Sequence, residues 1–451
     1  MTPRMFLVTL LLLVANLQLL GQEKQVTLSL KETCRLGIEQ NTDLLKSSLE
    51  LQKKDYRLQE KKSRLYPQLE GYSNFGYNYA IPKLVIPGEI FGQTGPMAVE
   101  IGTRFDWRSG LRATQLLFNQ SYHTSLQLAG SMESMESLNH QQKKEELIFQ
   151  LSQLYHLCQT TRRQIEQLEA AMDNMEQLLG IAKLQYEQGI IRKVDHARVL
   201  VNQNNLQTEA DQLLQLHTEQ LNMLKYLIGL PVETALFLSD SLSFFPTPQI
   251  QTVTDLSQRT ELRLLEKKME MTRLTQKMNR QSRLPTLTGF GEFYFQGQRN
   301  RFDYFRGGDD TFYKVGVVGI TLQIPLFDGF ERKAKSKQFD LELEQLKNSR
   351  EQLIDYYSKE IADAVTLYES SYRAILRQGE NIRVAEKTYE VSLQGYRQQM
   401  VPLSDLLLSE NSLTEARLSY YHALLQLKNA ELGMMKARGE LRLLITDESD
   451  Q

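Results

Sequence analysis

The chain has 451 residues and a formal net charge of −2. That length admits two or three ordinary domains or one elongated one, and the near-neutral balance gives no bulk reason to expect nucleic acid. Two cysteines, Cys34 and Cys158, are too few for a disulfide scaffold and read as free, buried thiols.

The first element is a leader. "MTPRMFLVTLLLLVANLQLLGQ" carries one arginine, an apolar run and a small residue, Gly21. This is the layout of a secretory signal peptide over 1–21. Its apolar run is shorter than the roughly 20 residues of a membrane span. No later segment has a long uncharged apolar run, so no transmembrane helix is expected.

From there the sequence is written twice. The first repeat covers 22–230 and the second 254–445, with a Pro- and Ser-bearing linker at 231–253 and a short tail at 446–451. "RLYPQLEGYSNFGYNY" is echoed by "RLPTLTGFGEFYF", and "LLFNQ" by "PLFDG". Tyr186 and Tyr396 are 210 positions apart, and so are Asp195 and Asp405. Echoes in the same order at similar offsets mark an internal repeat.

Each copy reads helix, strand, loop, strand, very long helix, tight turn, long helix. The strands fall in hairpins at about 67–118 and 285–326, and alternate with period two. In the first, Leu69, Gly71, Phe75, Tyr77, Tyr79 and Ile81 oppose Gln68, Glu70, Asn74 and Asn78, with Tyr72 as an exception. In the third, Leu287, Gly289, Gly291, Phe293 and Phe295 oppose Thr286, Thr288, Glu292, Tyr294 and Gln296. The second strand is expected from about Glu100 to Phe118 and the fourth from Tyr313 to Leu326. The loops "PKLVIPGEIFGQTGPMAVE" and "GQRNRFDYFRGGDD" read as exposed connections, and Trp107, Tyr77, Tyr79, Phe293 and Phe295 as aromatic girdles.

The helices are long. No proline occurs from Phe330 to Val401, and Leu343, Leu346, Leu353, Tyr357, Ile361, Ala364, Tyr368, Tyr372 and Ile375 form one stripe. A helix of roughly 65 residues is about 100 Å long and must pack in a bundle or coiled coil. Four strands in two hairpins leave exposed edges. A bilayer does not tolerate an open edge, whereas three chains pooling their strands would supply twelve and remove the edges, with the apolar face outward.

On "QIPLFDG" at the fourth-strand exit, "LYPQL" and "LPTL" at strand entrances, and the tips around Asp195 and Asp405, the mature chain resembles the TolC-type outer-membrane efflux proteins over its whole length. The resemblance implies a mixed α and β fold: a long-helix α-barrel, or coiled-coil tunnel, joined to a transmembrane antiparallel β-barrel with four strands per protomer and twelve per trimer. It implies a homotrimer in the cell outer membrane with its tunnel in the periplasm. It also implies docking to a periplasmic adaptor (a membrane fusion protein) and an inner-membrane transporter. The strand-to-helix exits then have local explanations. Pro325 ends pairing, Asp328 caps free amides, Gly329 permits the sharp turn, and Asn119 is the equivalent cap in the first copy.

By the same resemblance, the helical tips form the periplasmic entrance. Asp195 and Asp405 match its acidic residues and Tyr396 a tyrosine that tethers neighbouring hairpins, with Tyr186 the first-copy counterpart. Threefold copies of each carboxylate would raise one another's pKa and draw cations; complementing helix N-termini is a compatible, simpler role. Arg192 and Lys193 could neutralise that ring, and Asp195 is expected to pair with Tyr396 or a basic neighbour across hairpins. The chain departs from the family where Val401 replaces a clamping arginine, Leu408 a second acid and Gln399 the turn glycine that Gly189 keeps. Gly189, Ile190, Ile191, Gln399, Met400 and Val401 are the candidate adaptor contacts, because exposed apolar groups need a partner, although hairpin-turn packing is a rival.

The six histidines lack metal spacing, and "RGGDD" lacks the lysine and helix of a phosphate loop. No cofactor, metal or catalytic set is expected. The leading reading is an outer-membrane exit duct of a tripartite efflux or type I secretion system. The alternative is a soluble periplasmic coiled-coil adaptor or scaffold, whose strands need no lipid-facing aromatic side.

Overall fold

The computed structural model describes residues 25–88, 92, 94–242, 256–257, 259–305 and 312–446. The expected leader, residues 243–253 of the linker and most of the tail lie outside them. The first half runs β1 (Gln25–Leu28), α1 (Leu30–Gln40), α2 (Thr42–Ser63), β2 (Gln68–Tyr77), β3 (Lys83–Pro87), β4 (Pro96–Glu100), β5 (Phe105–Phe118), α3 (Gln120–Glu187), α4 (Lys193–Leu227) and β6 (Ala235–Leu238). The second runs α5 (Thr260–Gln281), β7 (Thr286–Arg299), β8 (Tyr313–Gln323), α6 (Glu331–Arg397) and α7 (Leu403–Arg438), then a 3-10 turn at Leu441–Leu444. The long helices have 68 and 67 residues, and those that follow them 35 and 36. No helix among the described residues is long and apolar enough to cross a membrane.

The chain divides into two compact units that cut across its halves. One takes residues 51–136 and 265–348, the other residues 1–50, 137–264 and 349–451. Each unit therefore draws on both copies of the pattern.

The first unit is built on a four-stranded antiparallel sheet in the order β2-β5-β7-β8. The two hairpins join through β5 and β7, and β2 and β8 are the edges. The register places Leu69, Leu111, Phe293, Val318, Ile320 and Leu322 on one face. All six are exposed in the single chain, Val318 by 91%. The other face carries Glu70, Tyr72, Arg112, Glu292 and Gln296. Tyr72, the exception in the alternation, belongs there: its hydroxyl donates to Glu292, and Arg112 pairs with Glu292 at 3.1 Å and Glu70 at 3.5 Å. The seam needs Gly110, where a Cβ would lie 2.4 Å from both the Phe293 carbonyl oxygen and the Tyr294 Cβ.

Two boundaries and one loop differ from the sequence reading. The second strand begins at Phe105, not Glu100, because Pro96–Glu100 pairs with Lys83–Pro87 in a separate hairpin; Gly102, at φ +134°, breaks the chain between them. The fourth strand ends at Gln323, not Leu326. The connection after β7 is not wholly exposed: Tyr304 is buried, its hydroxyl donates to the Gly297 carbonyl at 3.0 Å, and its ring meets Trp107 at 5.4 Å.

Both strand-to-helix exits are capped within this unit. The Asn119 Oδ1 accepts from the Tyr122 N–H at 2.8 Å, and its Nδ2 donates to Thr286 Oγ1. Asp328 accepts from the Arg332 N–H at 3.0 Å and from its guanidinium. Gly329 has φ +62°, and so, at +67°, does Phe330. The sharp turn thus uses two left-handed residues, not the one anticipated.

The second unit is helical. Cys34, Leu147, Ile148, Leu151, Tyr155, Cys158, Leu224 and Leu236 form one core. Both thiols are free, and burial pushes Cys34 up to about 11 and Cys158 up to about 12. β1 and β6 pair in parallel beside this core, and β6 lies in the stretch read from sequence as linker. Arg259, almost fully buried, donates to the Lys436 and Ala437 carbonyls at 2.6 and 2.9 Å and so caps α7. Its guanidinium lies 3.9 Å over the Tyr357 ring.

The seam residue supplies a test. Gly110→Val should cost about 1–3 kcal/mol by overpacking against backbone, read as a lower thermal midpoint in detergent, whereas Gly130→Ala, in open space within α3, should not lower it, because Ala is the better helix former.

Candidate functional site: the paired hairpin tips

The two long helices end in the same way because the same backbone bonds close them. In the first tip Gly189 N–H donates to the Tyr186 carbonyl at 2.9 Å and Ile190 N–H to Gln185 at 2.8 Å. In the second, Gln399 N–H donates to Tyr396 at 3.0 Å and Met400 N–H to Gly395 at 2.8 Å. Each pair is a Schellman closure, which needs a left-handed residue just past the helix. Gly189 has φ +73° and Gln399 φ +61°. Glutamine therefore holds glycine's conformation, at the steric cost of a Cβ. Gly395 explains how Val401 fits: a Cβ at 395 would lie 2.5 Å from Val401 Cγ2.

The next helices start without side-chain caps, at Arg192 and Pro402. Asp195 and Asp405 fall in their first turns, where carboxylates favour the helix dipole. Asp195 accepts from Arg192 Nε at 3.0 Å and meets Arg198 Nη1 at 3.5 Å. The Arg192 hydrogen bonds hold its carboxyl below the usual range, with Arg198 adding to the effect. Within one chain the shift is thus opposite to the rise expected from a ring of carboxylates. Asp405 is exposed, and Ser404 Oγ donates to it at 3.1 Å.

Tyr396 is buried, and its hydroxyl donates to Gln185 Oε1 at 2.6 Å. The partner is the other hairpin of the same chain, but it is Gln185, not Asp195. Asp195 still acts on the phenol through its charge, after burial, to raise its pKa. Below it Leu178, Ala182, Val199, Leu403, Leu406 and Leu407 fuse the two tips into one core. Tyr186 instead lies against His196, with ring centroids 5.8 Å apart.

The structure thus brings Ile190, Ile191, Arg192, Asp195, Tyr396, Gln399 and Val401 together around a cavity of about 400 Å³. Asp405 faces another groove, with Leu408. Ile190 and Met400 are exposed by 52% and 78%, while Ile191 packs on the core. Lys193 is exposed. Gln185 and Arg198 were missed in the sequence. Arg198 had a signal, since three residues separate it from Asp195; Gln185 had none.

Residues 254–440 match the outer membrane efflux protein family. No curated protein matches the sequence. Among solved structures, the chain is similar to the CmeC outer membrane channel of Campylobacter jejuni, with 16% identity, a TM-score of 0.72, and coverage of 94% of this chain and 90% of that one. The open-state MtrE outer membrane channel of Neisseria gonorrhoeae gives 16% identity, a TM-score of 0.72, and coverage of 91% and 89%. The outer-membrane channel OprN gives 16%, 0.70, and coverage of 91% and 90%.

The glycine-to-glutamine exchange at the second tip is testable. Gln399→Gly should stabilise the helical unit by about 1 kcal/mol, seen as a higher denaturation midpoint, whereas Gly189→Gln should lower it.

The sequence pattern of the outer membrane efflux proteins thus covers residues 254–440, and the fold of these channels runs along nearly all of the chain.

Proposed function

We propose that this protein is the outer-membrane exit duct of a tripartite efflux or type I secretion system. It acts passively and is not an enzyme. The observation that carries this reading is the four-stranded sheet with one apolar face and two unpaired edges. Such a sheet is unsuited to water, where its apolar face is exposed, and unsuited to a bilayer alone, where β2 and β8 leave amides unpaired. Three copies pooling twelve strands satisfy both demands. The polar face, with Glu70, Arg112 and Glu292 mutually paired, then lines a wet lumen, as in transmembrane barrels.

The tips supply the entrance. The exposed Ile190 and Met400 are apolar groups for a periplasmic adaptor to cover, and an inner-membrane transporter supplies the energy. Asp195, Arg192 and Lys193 set the charge at the first tip and Asp405 at the second. Tyr396, through Gln185, holds the two hairpins of one chain together. The sheet also argues against a soluble adaptor, which has no use for a lipid-facing side.

Fractionation and conductance test the proposal. The protein should partition with outer membrane as a heat-sensitive trimer and form channels in planar bilayers. Tyr396→Phe, which removes the bond to Gln185, should raise single-channel conductance. Recovery as a monomer in osmotic-shock fluid is the contrary result.

A further inference from the structure

Glu410 occupies a place where the sequence pattern calls for leucine. Leu403, Leu406, Leu407, Leu413 and Thr414 form the buried stripe of α7, and steps of three and four put residue 410 at its centre. The side chain is only 2% exposed, and its Oε2 has no hydrogen-bond partner. At the repeat spacing of 210, its first-copy counterpart is Leu200, which is exposed. The carboxyl is therefore peculiar to the second hairpin, about two turns from its tip.

Its surroundings do not favour a charge. From α3, the Asn174 side chain hydrogen-bonds the carboxyl. From α6, the Tyr389 phenol faces it; burial, then the Glu410 charge, push that phenol up, while Arg397 and Arg417 oppose. On α7 itself Arg417 lies one heptad further on, where Glu386 of α6 already engages it at 2.8 Å. Burial dominates over Asn174 and Arg417, and the carboxyl is raised above the ordinary range. An ionised carboxylate with an oxygen left unpaired in such a slot is disfavoured.

We infer that Glu410 is a proton-operated latch in the second tip hairpin: the neutral carboxyl lets α7 seat against α3 and α6, and loss of its proton loosens that seat. The sign follows from the direction of the shift. A carboxyl raised in the folded state contributes stability that is complete below its unfolded value and is lost as pH rises through its folded value. Acidification tightens the hairpin and alkalinisation frees it. The consequence for transport rests on the duct reading: the entrance opens more readily as pH rises.

The test is hydrogen–deuterium exchange on the detergent-solubilised full-length protein, corrected for the intrinsic rate, from about pH 5 to about pH 8. Protection over residues 385–420 should fall with rising pH, by up to about tenfold per unit once Glu410 ionises. Glu410→Gln should abolish that fall, and Glu410→Leu, which restores the apolar stripe, should do the same if the glutamine variant folds poorly. A pH profile that survives in either folded variant, or a flat profile in the wild type, overturns the latch. Planar-bilayer conductance over the same range separates the two readings. A Glu410-dependent exchange profile without channels in any variant keeps the latch and rejects the duct.

Discussion

The constraint on which the rest depends is the pairing of backbone amides at the sheet edges. β2 and β8 each have one partner, and a bilayer offers no water to satisfy their free groups. The apolar face makes solution no better an environment. On the proposed reading, such a sheet is complete only when sister chains add their strands. The polar network of Tyr72, Glu70, Arg112 and Glu292 belongs to the same logic: those groups are paired with one another on the face that a closed barrel would keep wet.

The helical unit solves a different problem. Helices of 68 and 67 residues cannot be held by propensity alone and must be held by packing. Their ends are fixed by local backbone closure. Gly189 and Gln399 reach the same geometry with different side chains, so the turn is set by its hydrogen bonds and glycine only eases it. The two tips are then joined by Tyr396 and Gln185 and by the leucines beneath them. Charge is arranged differently at each. Asp195 is neutralised by Arg192 and Arg198, Asp405 stands exposed, and Glu410 is hidden above it.

The sequence by itself determined the elements with strong local periodicity. Alternation assigned Leu69, Phe293 and their neighbours to one face, because a strand's side chains alternate whatever it pairs with. The unbroken stripe after Phe330 marked a helix that ends at Arg397, and Asn119 and Asp328 announced their caps because a cap acts within a turn or so of its own position. Only the tertiary structure decided what depends on distant partners. β1 and β6 are four residues each, too short for a periodic signal, and pair across some two hundred positions. Tyr304 is buried because its loop folds back on Trp107. Gln185, rather than Asp195, receives the Tyr396 hydroxyl, and Glu410 is buried because α3 and α6 close over it. Periodicity reports which face of an element is apolar; which residue meets that face is settled when the chain packs.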